Sequence, residues 1–427
     1  MEKQFADPEL VSSAKKELFE RTRLLSPHDT LASVQDLKKW VTEELSFEHA
    51  ASASFGRVLN DLGHAEYLDQ LPPLLNKFDR LASAYYVRRG SVTAFHGFCN
   101  AWREGLLKRV LLFAEEGLEV SDHGHPPAPY ALLASGCLGR REQTMEEGDA
   151  FYLVWSGAER KYFEDFSYRV LAILDQLGVI SKDGLGSAAH VLWRGSFEEW
   201  ERFAGFHGDV EFPTRRLEQL SDLRMIAGDE TLGRDAVLKA ATVLERYREG
   251  REYETLSEET LSMPVALGVL GGLLTEMNGP HRGSINLTRS AIYPLVSAVR
   301  LLALQEGLDA ASTLDRLTVL KEMEVLHSVL AERVEAAYHM LAGIKVKKEI
   351  ALEPAYVTPG ALTAREQHEL KGALEAVRQL QRQIRRILSS RKRRPVPVPG
   401  ALHIDFGRRL LAPSPLTNGE VLPAEKG

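Results

Sequence analysis

The sequence predicts an α+β protein, predominantly helical overall, in which a small mixed sheet lies between N-terminal and C-terminal helical regions. Three observations carry this. Two short runs of strand-forming residues, Tyr130–Ser135 (YALLAS) and Phe151–Trp155 (FYLVW), sit close together in the chain. Apolar residues on either side of them recur at the spacing of amphipathic helices. Between the two helical regions, strand-like and helix-like stretches alternate.

Residues 1–115 read as an N-terminal helical region. Ser33 is a candidate cap, followed by Val34, Leu37, Trp40 and Val41 at helical spacing. A second helical segment spans 84–116 through Trp102, Leu106, Leu107, Val110, Leu111 and Leu112. The Pro- and Gly-containing stretch 121–129 is a loop. It opens a domain at 116–235 with the two strands and a helix over 161–179, striped by Phe166, Val170, Ile173 and Leu174. Further strands are predicted at Val191–Trp193 and Leu223–Ile226. A C-terminal helical domain covers 236–390. Thr313 there precedes one long helix through Leu317, Leu320, Val325, Leu330, Val334 and Leu341, and Thr363 with Glu366 forms a capping box. Gly268, Gly271 and Gly272 fall in an apolar helical pattern and read as close helix packing, since no Gly-Lys-Ser/Thr follows. Residues 391–427, with five prolines among 395–415, read as a flexible tail.

Composition limits the function. The 427 residues carry 44% hydrophobic and 26% charged residues, as ordinary globular proteins do. A formal charge of −7 disfavours a nucleic-acid partner. No apolar run is long enough to span a membrane. The polar start MEKQFADPEL is no secretory signal, and Cys99 and Cys137 match neither a zinc pattern nor a disulfide framework. A cytoplasmic protein is expected. His123 and His125 form a His-x-His pair in the 121–129 loop, which reads as solvated. Arg382, Arg385 and Arg386, followed by the basic run 391–394, read as a solvated helix end and tail, with binding of nucleic acid or an acidic partner as the alternative.

The chemistry concentrates in Ala134–Val154 (ASGCLGRREQTMEEGDAFYLV). A strand ends at Gly136, a glycine turn follows, and acidic residues precede the next strand. A tight turn at a helix start offers N–H groups to triphosphate oxygens. An acid-x-acid pair projects both carboxylates to one strand face, where they can hold Mg²⁺. That is the arrangement nucleotidyl transfer requires.

These residues resemble the bacterial nucleotidyltransferases related to protein-PII uridylyltransferase, within the DNA polymerase beta-like superfamily. The family pattern is Gly-Ser, then Gly-Arg-x-Glu-Gln-Thr, then Thr-Asp-x-Asp entering the next strand. Here Gly136-Cys137 is followed by Gly139-Arg140-Arg141-Glu142-Gln143-Thr144 and then Glu147-Gly148-Asp149-Ala150. Trp193–Trp200, Asp222-Leu223-Arg224 with Gly228-Asp229, Arg300–Leu304 and Thr313–Leu317 are also similar to the family. The resemblance implies a nucleotidyltransferase core with a C-terminal helical domain. It further implies a nucleoside triphosphate as substrate, Mg²⁺ as cofactor, and a protein or small-molecule hydroxyl as acceptor, with a signalling partner as a further expectation.

Two departures leave alternatives open. Cys137 replaces the phosphate-binding Ser, and a thiol is the weaker donor. Without gaps, the two metal-binding Asp positions fall on Gly148 and Ala150. With the loop shifted by one residue, Glu147 and Asp149 become the pair. In that active form Glu147, Asp149 and Asp222 are the catalytic metal ligands, and Gly136, Cys137, Gly139, Arg140 and Gln143 hold the triphosphate. Otherwise the core is a degenerate nucleotidyltransferase that binds nucleotide or a partner. Arg140 could equally pair with Glu142, and Asp222 could instead orient the segment before Arg224.

Overall fold

The computed structural model of the chain describes residues 27–145, 150–179, 193–206, 214–248 and 250–391. The fold is α+β and mostly helical, with twelve α-helices and a four-stranded sheet among the described residues. The chain divides into two compact units, 1–98 and 99–427.

In the first unit, helix α1 (Pro27–Gly63) and helix α2 (Leu71–Arg89) pack through aromatic rings. Phe55 stacks on Phe98 at 3.7 Å between centroids, with Phe78 and Tyr85 edge-on to it. Arg89 joins the two helices by ion pairs to Glu44 and Glu48. Because α1 starts at Pro27, Ser33 lies inside it and does not cap it. The expected segment 84–116 is interrupted. Helix α2 ends at Arg89 with Gly90 in a left-handed conformation, and α3 (Val92–Val120) restarts after it. The division between the two units falls within α3.

In the second unit, β1 (Tyr130–Ser135) pairs antiparallel with β2 (Ala150–Trp155) in an unbroken register from Tyr130↔Trp155 to Ser135↔Ala150. Strand β3 (Trp193–Ser196) runs parallel to β2, and β4 (Arg224–Gly228) antiparallel to β1, giving the order β3-β2-β1-β4. The third and fourth strands lie within a few residues of their predicted places, although 191 and 192 are outside the described residues. Alternation sends Tyr130 and Trp155 to one face, where they meet Phe166 and Phe163 of α4 (Arg160–Gln176). Tyr152 points to the other face, against Trp200 of α5 (Phe197–Ala204). Both faces are thus buried, which explains why β1 and β2 read as continuous apolar runs without alternation.

Helices α6 (Thr214–Ser221) and α7 (Glu230–Tyr247) flank β4 in the chain. The C-terminal domain comprises α8 (Arg251–Ser262), α9 (Tyr293–Glu306), α10 (Thr313–Glu322), α11 (Ser328–Ile350) and α12 (Ala364–Arg391), with the small β5–β6 ladder (Ile285–Asn286 and Tyr356–Val357). The single helix expected after Thr313 is two helices. Glu324 adopts a positive φ after α10, and the His327 side chain accepts a hydrogen bond from the Val329 N–H at the start of α11. The capping box at Thr363 is present, with Glu366 reaching back to the Thr363 N–H at 2.8 Å. Gly268–Gly272 is not helical. Leu267 and Leu273 bridge antiparallel, making a short hairpin. The expected tail lies outside the described residues from 392 onward.

Trp200 is the keystone of one sheet face. It is fully buried, contacts the Tyr152, Trp193 and Phe203 rings, and donates Nε1–H to the Ala236 carbonyl at 3.1 Å. Trp200→Ala should cost about 3–5 kcal/mol of unfolding free energy, measured by urea denaturation, with the slope unchanged.

Candidate functional site: a buried charge cluster at the end of strand β1

The turn that leaves β1 is built by its own backbone. Gly136 has φ +77°, the Arg140 N–H donates to the Gly136 carbonyl at 2.9 Å, and the Glu142 N–H donates to the Cys137 carbonyl at 2.8 Å. No helix follows it among the described residues between β1 and β2, contrary to the expected phosphate-cradling helix start. The turn N–H groups of Arg140 and Glu142 are spent within the turn. Gly139 is required for a different reason. A Cβ on it would stand 1.9 Å from the Asp222 carbonyl oxygen and 2.8 Å from the Ser135 Cα, so two backbones meet there.

That contact brings Arg140 to Asp222. Arg140 is buried and donates from Nη1 to Asp222 Oδ2 at 2.6 Å, from Nε to Glu142 Oε2 at 2.8 Å, and from Nη2 to Cys137 Sγ at 3.3 Å. Two further arginines converge on the same carboxylate. Arg300 of α9 donates to Asp222 Oδ2 from Nη2 at 2.9 Å and from Nε at 3.1 Å. Arg316 of α10 donates to Oδ1 at 2.9 Å, and to the Ser221 and Ala310 carbonyls. Arg300 also holds Glu218 at 3.1 Å, and Glu218 in turn accepts from the Tyr293 hydroxyl. Three guanidiniums therefore face three carboxylates, Asp222, Glu142 and Glu218, so the buried cluster is electrically balanced.

The remaining motif residues extend the cluster into the helical domain. The second oxygen of Glu142 accepts the Thr313 N–H, in the first turn of α10, where the helix dipole favours a negative charge. The Thr144 hydroxyl donates to Glu349 of α11 at 2.9 Å, and Glu349 is also paired with Lys345 at 3.1 Å. Gln143 is fully buried and donates to the Thr144 carbonyl. At the start of β4, Arg224 donates to the Leu138 carbonyl at 2.7 Å and pairs with Glu104.

Burial by itself would raise the Asp222 pKa, but the attraction of Arg300, Arg140 and Arg316 outweighs it and holds the carboxyl well below the usual carboxylate range. Burial works against the Arg140 charge as well, and Asp222 and Glu142 more than offset it. Asp222 is thus an anion in the folded protein at any ordinary pH.

Of the expected site residues, the structure brings together Gly136, Cys137, Gly139, Arg140 and Asp222. Gln143 supports the same turn from inside. Glu147 and Asp149 lie outside the described residues. Magnesium demands oxygen ligands in near-ideal octahedral geometry. Asp222, expected as the third ligand, does not fit that role in this arrangement, because guanidinium N–H groups occupy both its oxygens. Arg140 does not face solvent as a triphosphate ligand would. It pairs with Glu142 and Asp222. Among the described residues, no group of three or more His, Cys, Asp and Glu is placed to hold a metal. His123 and His125 stand apart, beside Asp165 and Glu119.

Sequence reasoning quoted Arg300 and Arg316 as family markers but gave them no role. The signal was available in YPLVSAVRLLAL. A charge in the middle of an aliphatic helix that is buried throughout must find a partner.

Two substitutions test this geometry. Asp222→Asn should destabilise the protein by about 3–5 kcal/mol at neutral pH, since it removes the one negative charge that three buried guanidiniums share. A carboxyl whose folded pKa is depressed contributes stability that is present above its unfolded value, about 3.9, and lost as pH falls through the folded value. The difference between wild type and Asp222→Asn in chemical denaturation should therefore be flat near neutrality and shrink on acidification below about pH 4. Gly139→Ala should lower stability by about 1–3 kcal/mol or more through overpacking, read from the same unfolding curves.

Comparison with known families finds two matching segments. Residues 76–206 match the family model described as "Putative nucleotidyltransferase DUF294", and residues 251–388 match "Putative nucleotidyltransferase substrate binding domain". The first segment supplies Arg140, Glu142 and Thr144, the second supplies Arg300, Arg316 and Glu349, and Asp222 lies between them. Among curated proteins, none matches the chain. No helix among the described residues is long and apolar enough to cross a membrane. With the two models together covering more than half of the 427 residues, the chain belongs to the family of putative nucleotidyltransferases that join a DUF294 domain to a C-terminal substrate binding domain.

Proposed function

We propose that this chain uses the nucleotidyltransferase fold as a regulatory binding module and does not carry out magnesium-dependent nucleotidyl transfer. The observation that carries this reading is the saturation of the Asp222 carboxylate by Arg140, Arg300 and Arg316. A carboxylate with guanidiniums on both oxygens can accept a metal only if buried ion pairs break, and removing one member of such a cluster costs several kcal/mol. The β2 register adds support. It runs without a bulge from Trp155 to Ala150, and Ala150 stands opposite Ser135 at the end of the strand. In the gapless alignment with the family, that position carries one of the two metal-binding aspartates, and here it carries a methyl group.

In this reading the family motif has kept its structural half. Gly139, Arg140, Glu142 and Thr144 lock the β1 turn onto α10 and α11, so the sheet and the helical domain move together. Binding of a nucleotide or signalling partner at the core would then be felt in the C-terminal helices. The competing assignment is magnesium-dependent transfer of a nucleoside monophosphate to a protein or small-molecule hydroxyl, as in PII uridylyltransferase. It would have to build its metal site on Glu147 and Asp149 without Asp222.

Calorimetric titration with ATP, UTP, GTP and CTP, each with and without Mg²⁺, separates the two. The expected result is either no binding or binding that is indifferent to Mg²⁺. Tight binding that appears only with Mg²⁺, and disappears in Glu147→Gln with Asp149→Asn, would overturn the proposal.

A further inference from the structure

We propose that the C-terminal end of α12 binds double-stranded nucleic acid through its phosphate backbone. The charge of −7, which disfavours such a partner for the chain as a whole, is unevenly distributed. Of the 53 Lys and Arg residues, eight fall between Ala376 and Ile404, and none of the 60 Asp and Glu residues does. In α12 this segment contributes Arg382, Arg385 and Arg386. All three are exposed, and they line a shallow groove of about 520 Å³ together with Ser389 and Ser390. Arg391-Lys392-Arg393-Arg394 continue the run in the sequence. Local contacts do not neutralise these charges. The ion pair of α12 lies at its other end, between Arg365 and Glu369, and none of the three groove arginines has a carboxylate partner among the described residues.

This placement works against the helix itself. Arg382 and Arg386 stand one turn apart, about 6 Å along the axis, and like charges at that spacing repel. The helix dipole favours cations only in the last turn, and Arg382 lies well before it. The row is nevertheless held on a fixed scaffold. Arg385 donates to the Leu261 carbonyl at the end of α8 at 2.9 Å. The same features choose among polyanions. A helix that lies on an anionic membrane also buries an apolar face in the lipid, whereas Leu374, Val377, Leu380 and Ile384 of α12 are fully buried in their own domain. Protein partners are anchored by aromatic residues at the centre of the contact, and no Phe, Tyr or Trp occurs between Ala376 and Ile404. The same lack sets aside single strands, whose bases stack on aromatic side chains. A duplex backbone needs only cations in a row. Arginine, seven of the eight cations here, meets phosphate oxygens in pairs. Contacts of this kind carry no sequence preference.

Fluorescence anisotropy of a short labelled DNA duplex, titrated with the full chain between about 50 and 200 mM salt, tests the proposal. The expected result is a Kd of about 10⁻⁶ M at the low end, with log K falling linearly as log salt rises. Arg382→Gln with Arg386→Gln should weaken binding about tenfold or more and lower the salt slope by about two. The melting temperature should be unchanged, since both side chains are exposed. Lys38→Gln with Lys39→Gln, an exposed pair on α1, should bind as wild type does. A wild type that leaves the duplex free at low salt overturns the proposal, as does binding that survives the Arg382 and Arg386 substitutions. So does a preference, in competition, for phosphatidylserine vesicles, polyglutamate or a single strand over the duplex.

Discussion

A carboxylate held by three guanidiniums organises the second unit of this protein. Asp222 sits just before β4, Arg140 comes from the turn after β1, and Arg300 and Arg316 come from two helices of the C-terminal domain. Each of these charges would be costly to bury alone, and together they balance with Glu142 and Glu218. Neighbouring features follow from that constraint. Gly139 must lack a side chain so that the turn can reach the Asp222 backbone. Glu142 must be an anion to hold Arg140 on one side and the first turn of α10 on the other. The register of the sheet against the helical domain is set by these directional contacts as well as by apolar packing.

The same residues carry the resemblance to nucleotidyltransferases, and the structure separates two roles that a motif merges. Arg140, Glu142, Gln143 and Thr144 are all buried and all directed inward. They explain why Gly-Arg-x-Glu-Gln-Thr can persist in a chain whose next strand begins with Ala150. Retention of the motif needs no catalysis, since the junction between sheet and helices requires it.

Much of the architecture was legible in the sequence because it rests on local signals. The runs at Tyr130–Ser135 and Phe151–Trp155 read as strands from their strand-forming residues, and Thr363 with Glu366 announced a helix start. Failures came where apolar content masked a change of backbone. Gly90 ends α2 inside a pattern that otherwise reads as one helix, and the turn at Glu324 divides another. The Gly268–Gly272 segment read as helix because its leucines and valine were assumed to face a core, whereas Val269 and Leu270 face solvent. The site was half legible. The turn and Asp222 could be named, but nothing in linear order says that Arg300 and Arg316, 78 and 94 residues further on, close over the same carboxylate.

The most direct test is a double-mutant cycle between Asp222 and Arg300. Unfolding free energies of Asp222→Ala, Arg300→Ala and the double variant would be compared with wild type at neutral pH. If the carboxylate is a structural anchor, the two substitutions should be strongly non-additive, with a coupling of about 2–3 kcal/mol. Additivity to within about 0.5 kcal/mol would show that Asp222 does not depend on this pair, and would return it to the pool of candidate metal ligands.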